Sequence, residues 1–197
     1  VTVGSNVFIG CSALTTLTVA EGNTKYSSAG KCLIDLATKQ ILIGLDNAEI
    51  PADADVATSI ADYAFQNCTF ETLTIPANIT TIGQYAFQYT KITEIVIENG
   101  VQGIGGYAFL GSNLTTITIP GSMETMGGFA FQNCKQLEEV TLENGVKQIG
   151  QRMFDGCSAL TTISIPNTIT SCGGQVFLNC SSLKNVILEE GLKTLGG

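Results

Sequence analysis

The chain has 197 residues, enough for one domain with a sizeable core, and its 44% hydrophobic against 13% charged content excludes a disordered segment. Nine Lys and Arg stand against 17 Asp and Glu, a net charge of −8 that argues against nucleic acid and anionic membrane surfaces as partners, since both need basic patches. Histidine is absent, which removes His-dependent triads, His-ligated metals and imidazole proton shuttles from the candidate chemistry.

One unit repeats along the chain. Phenylalanine recurs at Phe8, Phe65, Phe87, Phe109, Phe131, Phe154 and Phe177, and the last five steps are 22, 22, 22, 23 and 23 residues. The first step, 57 residues, is one 23-residue period plus a 34-residue insertion at about 23–56. Within the insertion, Cys32–Leu36 and Gln40–Leu45 are strand-like runs joined by Ala37-Thr38-Lys39, which predicts a β-hairpin forming its own small element. The fourth copy shows the frame of every later one: Ile104-Gly105-Gly106-Tyr107-Ala108-Phe109, then Leu114-Thr115-Thr116-Ile117-Thr118-Ile119-Pro120, then Met123. Leu-x-x-Ile-x-Ile alternates with period two and predicts a short half-buried strand. Pro76, Pro120 and Pro166 close strands where no further ladder donor is wanted. Gly83, Gly105, Gly127, Gly150 and Gly173 predict tight turns, and the x-x-Ala-Phe-x-x-Cys stretch has room for about one helical turn. Strand, turn and short helix in about 22 residues make one coil of a solenoid, burying its apolar edge only against neighbouring coils. In copy five the predicted core is Met126, Phe131, Leu137, Val140, Leu142 and Val146.

A longer period overlies the first. The residue after each strand alternates Pro76, Glu98, Pro120, Glu143, Pro166, Glu189, and two Glu copies continue into Asn99-Gly100 and Asn144-Gly145. The sequence offers no physical reason for this pairing beyond alternating turn types.

The frame L-x-x-I-x-I-P-x-x-V-x-x-I-G-x-x-A-F-x-x-C, together with Asn23-Thr24-Lys25-Tyr26-Ser27-Ser28 opening the insertion, resembles the BspA-like class of leucine-rich repeats over Val3 to Leu195. The resemblance implies an α/β repeat: a right-handed leucine-rich-repeat solenoid of about seven 22–23-residue coils with a β-hairpin insertion, forming a single domain over 1–197. It further implies a bacterial cell-surface or extracellular protein engaged in adhesion to a host or extracellular-matrix protein. The insertion departs from the family's usual hairpin start at Gly30-Lys31-Cys32-Leu33, so no tip chemistry is carried over. Neither end carries a polar cap, which leads us to expect a fragment of a longer protein.

Candidate chemistry is sparse. Cys11, Cys68, Cys134, Cys157 and Cys180 lie three residues after a repeat Phe, where other copies carry Thr90 and Ser112, so the column is read as buried free thiols. Cys172 takes an isoleucine slot, and Cys32, on the insertion, is expected to be the most accessible. No C-x-x-C pair, calcium loop or catalytic set is present, so no cofactor, metal or enzymatic activity is expected. Glu94 and Glu98 lie about 13 Å apart along a strand, too far for a glycosidase pair. The four N-glycosylation patterns, as at Asn67 and Asn113, carry little weight in a bacterial protein. Strand residues expected to face the open, concave side are Thr72, Thr74, Glu94, Val96, Thr116, Thr118, Glu139, Thr141, Thr162, Ser164, Asn185 and Ile187, with Glu98, Glu143 and Glu189 at the strand ends. The Thr-x-Thr rows are interrupted on alternate coils, which breaks an ice-binding lattice. The expected function is a non-enzymatic binding module whose concave sheet meets a protein or a glycan, the alternative being a passive structural spacer in a larger surface protein.

Overall fold

The computed structural model describes residues 2–4, 7–8, 11 and 13–192. The insertion forms β1 (Tyr26–Ala29), β2 (Cys32–Asp35) and β3 (Gln40–Gly44), and each following coil contributes a two-residue and a four-residue strand. In chain order these are β4 (Ser59–Ile60) and β5 (Thr72–Ile75), β6 (Thr81–Ile82) and β7 (Glu94–Ile97), β8 (Gly103–Ile104) and β9 (Thr116–Ile119), β10 (Thr125–Met126) and β11 (Glu139–Leu142), β12 (Gln148–Ile149) and β13 (Thr162–Ile165), then β14 (Ser171–Cys172) and β15 (Asn185–Leu188). The long strands pair in parallel, β5 with β7 and β9 through β15 in order. The short strands pair in parallel on a second side of each coil. The first coil carries no strand among its described residues, and its Leu17 and Val19 pack on a small cluster of Leu33, Ile43 and Leu45.

Period-two patterning does what it predicts. Leu73, Ile75, Ile95, Ile97, Ile117, Ile119, Val140 and Leu142 point into one continuous core while their strand neighbours point out. All six residues predicted as the core of copy five are buried. The repeat phenylalanines from Phe65 to Phe154 are fully buried and stack ring on ring, with Phe177 ending the column. Centroids are 5.0–5.1 Å apart from Phe65 to Phe131, then 5.6 and 5.9 Å where the period lengthens from 22 to 23 residues. Phe8 does not share this burial and is 39% exposed.

The third side of each coil corrects an expectation. No helix forms among the described residues, so the helical half of the expected α/β repeat is not found. Each Ala-Phe stretch instead holds two residues of positive φ, four apart, such as Tyr107 (58°) and Gly111 (65°), or Phe129 (63°) and Asn133 (57°). Left-handed residues interrupt the i to i−4 bonding of a helix. They turn alternate amides outward instead: Tyr107, Phe109 and Gly111 donate to the carbonyls of Gly128, Ala130 and Gln132 in the next coil at 3.2, 2.7 and 2.8 Å. The turn side is therefore a third ladder between coils. A second aromatic column, Tyr63, Tyr85, Tyr107 and Phe129, stacks along it at 4.8–5.0 Å, ending in the Arg152 guanidinium 5.8 Å from the Phe129 ring.

The glycine column has a different cause from the expected turn. Gly127 has no positive φ, but a Cβ there would lie 2.3 Å from the backbone nitrogen of Gly106 in the preceding coil. Close approach of stacked backbones excludes a side chain at this point.

The insertion is not a separate element. Its predicted hairpin, β2 with β3, gains β1 as a third antiparallel strand, and β3 pairs in parallel with β4, so the meander continues the short-strand sheet. Cys32, Ile34 and Ile41 consequently join the solenoid core. Cys32, expected to be the most accessible thiol, is fully buried, with Sγ donating to the Gly30 carbonyl at 3.6 Å; the exposed cysteine is Cys11.

The cysteine column is free thiol, as expected, but the expected burial holds only for Cys134 and Cys157: Cys68 and Cys180 are half-buried and Cys11 is exposed. Cys134, Cys157 and Cys180 donate to the carbonyls of Phe109, Phe131 and Phe154 in the preceding coil at 3.1–3.2 Å, and the Thr90 hydroxyl donates to the Phe87 carbonyl at 3.0 Å. The slot wants a small donor, which Cys, Thr and Ser all supply. Burial pushes the thiols of Cys32 and Cys68 up to about 12, with the Asp46 carboxylate adding to the effect at Cys68. Iodoacetamide is expected to modify the exposed Cys11 in the native protein and leave the buried Cys32, Cys134 and Cys157 intact. All seven should react after denaturation. Mass spectrometry that found Cys32 alkylated as fast as Cys11 would contradict this placement.

Candidate functional site

The fifteen predicted face residues lie on one outward surface, exposed or half-buried. Register assembles them into rows. Thr72 faces Glu94, Thr116 faces Glu139, and Glu139 faces Thr162, which in turn faces Asn185. The second row runs Thr74 beside Val96, then Thr118 beside Thr141, then Ser164 beside Ile187. The third row is the alternation of Pro and Glu at the strand ends. Val96 at 48% and Ile187 at 53% are the apolar points on an otherwise hydroxylated and acidic surface.

The Pro–Glu alternation has a physical reason that sequence alone did not provide. Proline has no N–H, so the chain's next donor after the strand is the following residue. The Ala77 amide donates to Glu98 Oε2 at 2.9 Å, the Gly121 amide to Glu143 Oε2 at 3.0 Å, and the Asn167 amide to Glu189 Oε2 at 3.3 Å. Each Glu thus ties its own turn to that of the preceding Pro coil. The return link runs the other way. The amides of Gly100 and Gly145 donate to the hydroxyls of Ser122 and Thr168, at 3.0 and 3.1 Å, in the next Pro coil. Those hydroxyls donate in turn to the carbonyls of Val101 and Val146 at 2.7 and 2.9 Å. The structural unit is therefore a pair of coils with complementary turns.

This divides the acidic residues of the face. Glu98, Glu143 and Glu189 are engaged with backbone, whereas Glu94 and Glu139 make no side-chain hydrogen bond or ion pair among the described residues. Neither group is neutralised. The one ion pair among the described residues, Lys39 to Asp55 at 3.2 Å, lies on the insertion.

The insertion also shapes the surface, which the sequence reading missed. Its return segment, with Ala48, Glu49, Ile50 and Ala52, stands beside β5 and β7 and encloses with Thr72, Thr74, Glu94, Val96 and Glu98 a hollow of about 460 Å³. Three carboxylates and no cation line it. Side chains that reach a sheet face from a 34-residue insertion carry no periodic signal, so only the fold could bring Glu49 to Glu94. Among the described residues no group of His, Cys, Asp and Glu could hold a metal ion, and no helix is long and apolar enough to cross a membrane.

Two parallel ladders, a turn ladder and an aromatic spine define a leucine-rich-repeat solenoid of about seven stacked coils. The family model of the BspA type leucine-rich repeat region matches six copies over residues 42–135 and 103–197, and the chain belongs to that family. Among solved structures it is similar to a leucine-rich repeat protein from Eubacterium ventriosum, with 25% identity and a TM-score of 0.67 over 94% of this chain and 46% of that one. The fold is shared with a leucine-rich repeat protein from Bacteroides ovatus at 22% identity, with a TM-score of 0.59 over 87% of this chain and 53% of that one. It is shared too with the pneumococcal vaccine antigen PcpA at 19% identity, with a TM-score of 0.67 over 89% and 50%. The chain spans about half the length of these three proteins. No curated protein sequence matches it.

Proposed function

We propose that the chain is a non-enzymatic binding module of a bacterial surface or secreted protein, and that the outward face of its long-strand sheet adheres to a host or extracellular-matrix protein. The observation that carries this reading is the face itself. Register-matched rows of hydroxyls and carboxylates, held rigid by a continuous core, carry no cation to neutralise them. The partner segment that fits is basic and extended, drawn to the surface by charge and seated over Glu94 and Glu139. Family membership and the description of one structural neighbour as a vaccine antigen support a cell-surface location.

A passive spacer is the second reading. The carboxylates of Glu98, Glu143 and Glu189 favour it, because their engagement with backbone accounts for them without a partner.

The variant Glu94→Gln/Glu139→Gln separates the two, since neither side chain has a structural bond to lose. Against a panel of immobilised purified matrix proteins, the native chain is expected to bind at least one, with affinity falling as salt rises. The variant should lose roughly three- to tenfold at low salt, mostly in association rate. Binding that is indifferent to both salt and substitution would reject the acidic face, and no binding to any member of the panel would favour the spacer.

A further inference from the structure

Tyr89 breaks a local rule of this solenoid. The second left-handed residue of each turn is Asn67, Tyr89, Gly111, Asn133, Gly156 and Asn179, with φ between 55° and 76°. Five of the six are the residue types that accept this conformation most readily. Tyr89 is aromatic, sits at φ 55°, and does not repay the strain with burial, being 55% exposed. The four tyrosine and phenylalanine rings of the neighbouring column cover one another's faces. Tyr89 stands outside that column. An edge of its ring lies over Gly111, where a Cβ would come within 2.6 Å of Cδ1. The ladder sets this backbone, the Tyr89 amide donating to the Leu110 carbonyl at 2.8 Å, so what distinguishes the position is an exposed ring where the five other turns place Asn or Gly, a choice that calls for a constraint other than packing.

The surroundings indicate which constraint. Tyr89 borders a hollow of about 420 Å³, within the range of small-molecule sites. Asn113, Asn133, Lys135 and Gln136 line it, and none of these four side chains makes a hydrogen bond or ion pair among the described residues. The amides one position along the same turns behave differently: Gln66 bonds Gln88, and Gln132 donates to Asp155 at 2.9 Å. Uncommitted amides gathered beside an exposed ring, with no carboxylate and one cation, suit a neutral ligand rich in hydroxyls. Each amide offers both donors and an acceptor, the pattern that vicinal hydroxyls require, and the ring offers a flat apolar surface.

We propose that this hollow on the turn side is a subsite for a hexopyranose unit of a glycan. The C–H face of the sugar ring packs on Tyr89, and its hydroxyls bond to Asn113, Asn133 and Gln136, with Lys135 donating at the rim. The site lies on a different side of the solenoid from the acidic sheet face and stands independently of the protein-binding reading.

Saturation-transfer NMR on the full chain tests it, with the methyl glycosides of β-D-glucose, β-D-galactose, α-D-mannose and N-acetyl-β-D-glucosamine as probes and a proline-rich peptide as the competing ligand class. At least one glycoside should receive saturation, strongest at its ring C–H protons. Tyr89→Asn, which installs the residue that three other turns already use, and Gln136→Ala, at an exposed position with no positive φ, should each reduce the effect by roughly tenfold or more at unchanged thermal unfolding. No transfer to any glycoside, transfer that survives Tyr89→Asn, or binding of the peptide in place of the sugars would overturn the proposal.

Discussion

Replacing Phe109 with alanine is expected to cost about 3–5 kcal/mol in urea-induced unfolding, the full range for deleting a buried aromatic side chain. Phe109 is fully buried between Phe87 and Phe131, at 5.1 and 5.0 Å with interplanar angles of 7° and 3°. The coils above and below are held at the strand spacing by three ladders, so they cannot close over the vacancy, and the cavity term is added to the lost transfer energy. A solenoid is stable through nearest-neighbour interfaces, so the defect weakens two interfaces at once. The expected record is a lower midpoint and a broadened transition as the two halves uncouple. A loss below about 1 kcal/mol would show that the column is not the spine of the fold.

Gly145→Ala should have the next largest effect, roughly 2–4 kcal/mol, through backbone strain combined with collision. Gly145 has φ 117°, outside the range in which an alanine rests, and a Cβ there would sit 2.4 Å from the Gly121 carbonyl oxygen. That oxygen belongs to the turn that Glu143 ties down, so it cannot withdraw without breaking the link between Glu143 and the Gly121 amide. Gly106→Ala is the control: its φ is not positive and the nearest atom to a Cβ is the Gly128 carbonyl oxygen at 3.3 Å. Chemical denaturation of both variants should separate them by well over 1 kcal/mol, and equal losses would mean that the paired-coil link contributes nothing.

Much of the architecture was legible because it is periodic. Phe65 through Phe177 fixed the coil length, and alternation in Thr116–Ile119 fixed which residues enter the core and which form the outward face. The helical turn was misread because x-x-Ala-Phe-x-x-Cys has helix-compatible composition, while the left-handed residues that break it are tyrosines, a phenylalanine and an arginine as often as asparagine or glycine. No propensity marks Tyr107 as left-handed; the ladder to Gly128 does. The two strand-like runs of the insertion were legible and form β2 and β3, yet Cys32 was expected to be open because the sequence could not show that β3 would join β4. The alternation of Pro120 and Glu143 was visible, but its cause, an amide of one coil reaching a carboxylate of the next, is a contact 22 residues away in sequence. The hollow beside β5 and the uncommitted amides near Tyr89 depend on side chains from different coils, and only stacking brings them together.

The most direct measurement of the proposed recognition face is carboxylate footprinting of the chain bound to the matrix protein it captures, using carbodiimide coupling read by mass spectrometry. Glu94 and Glu139, exposed and without bonds of their own, should label fully in the free chain and lose most of that labelling in the complex. Glu124, outside the face, should label equally in both states. Protection confined to the insertion or the turn side, with Glu94 and Glu139 labelled as in the free chain, would contradict the account.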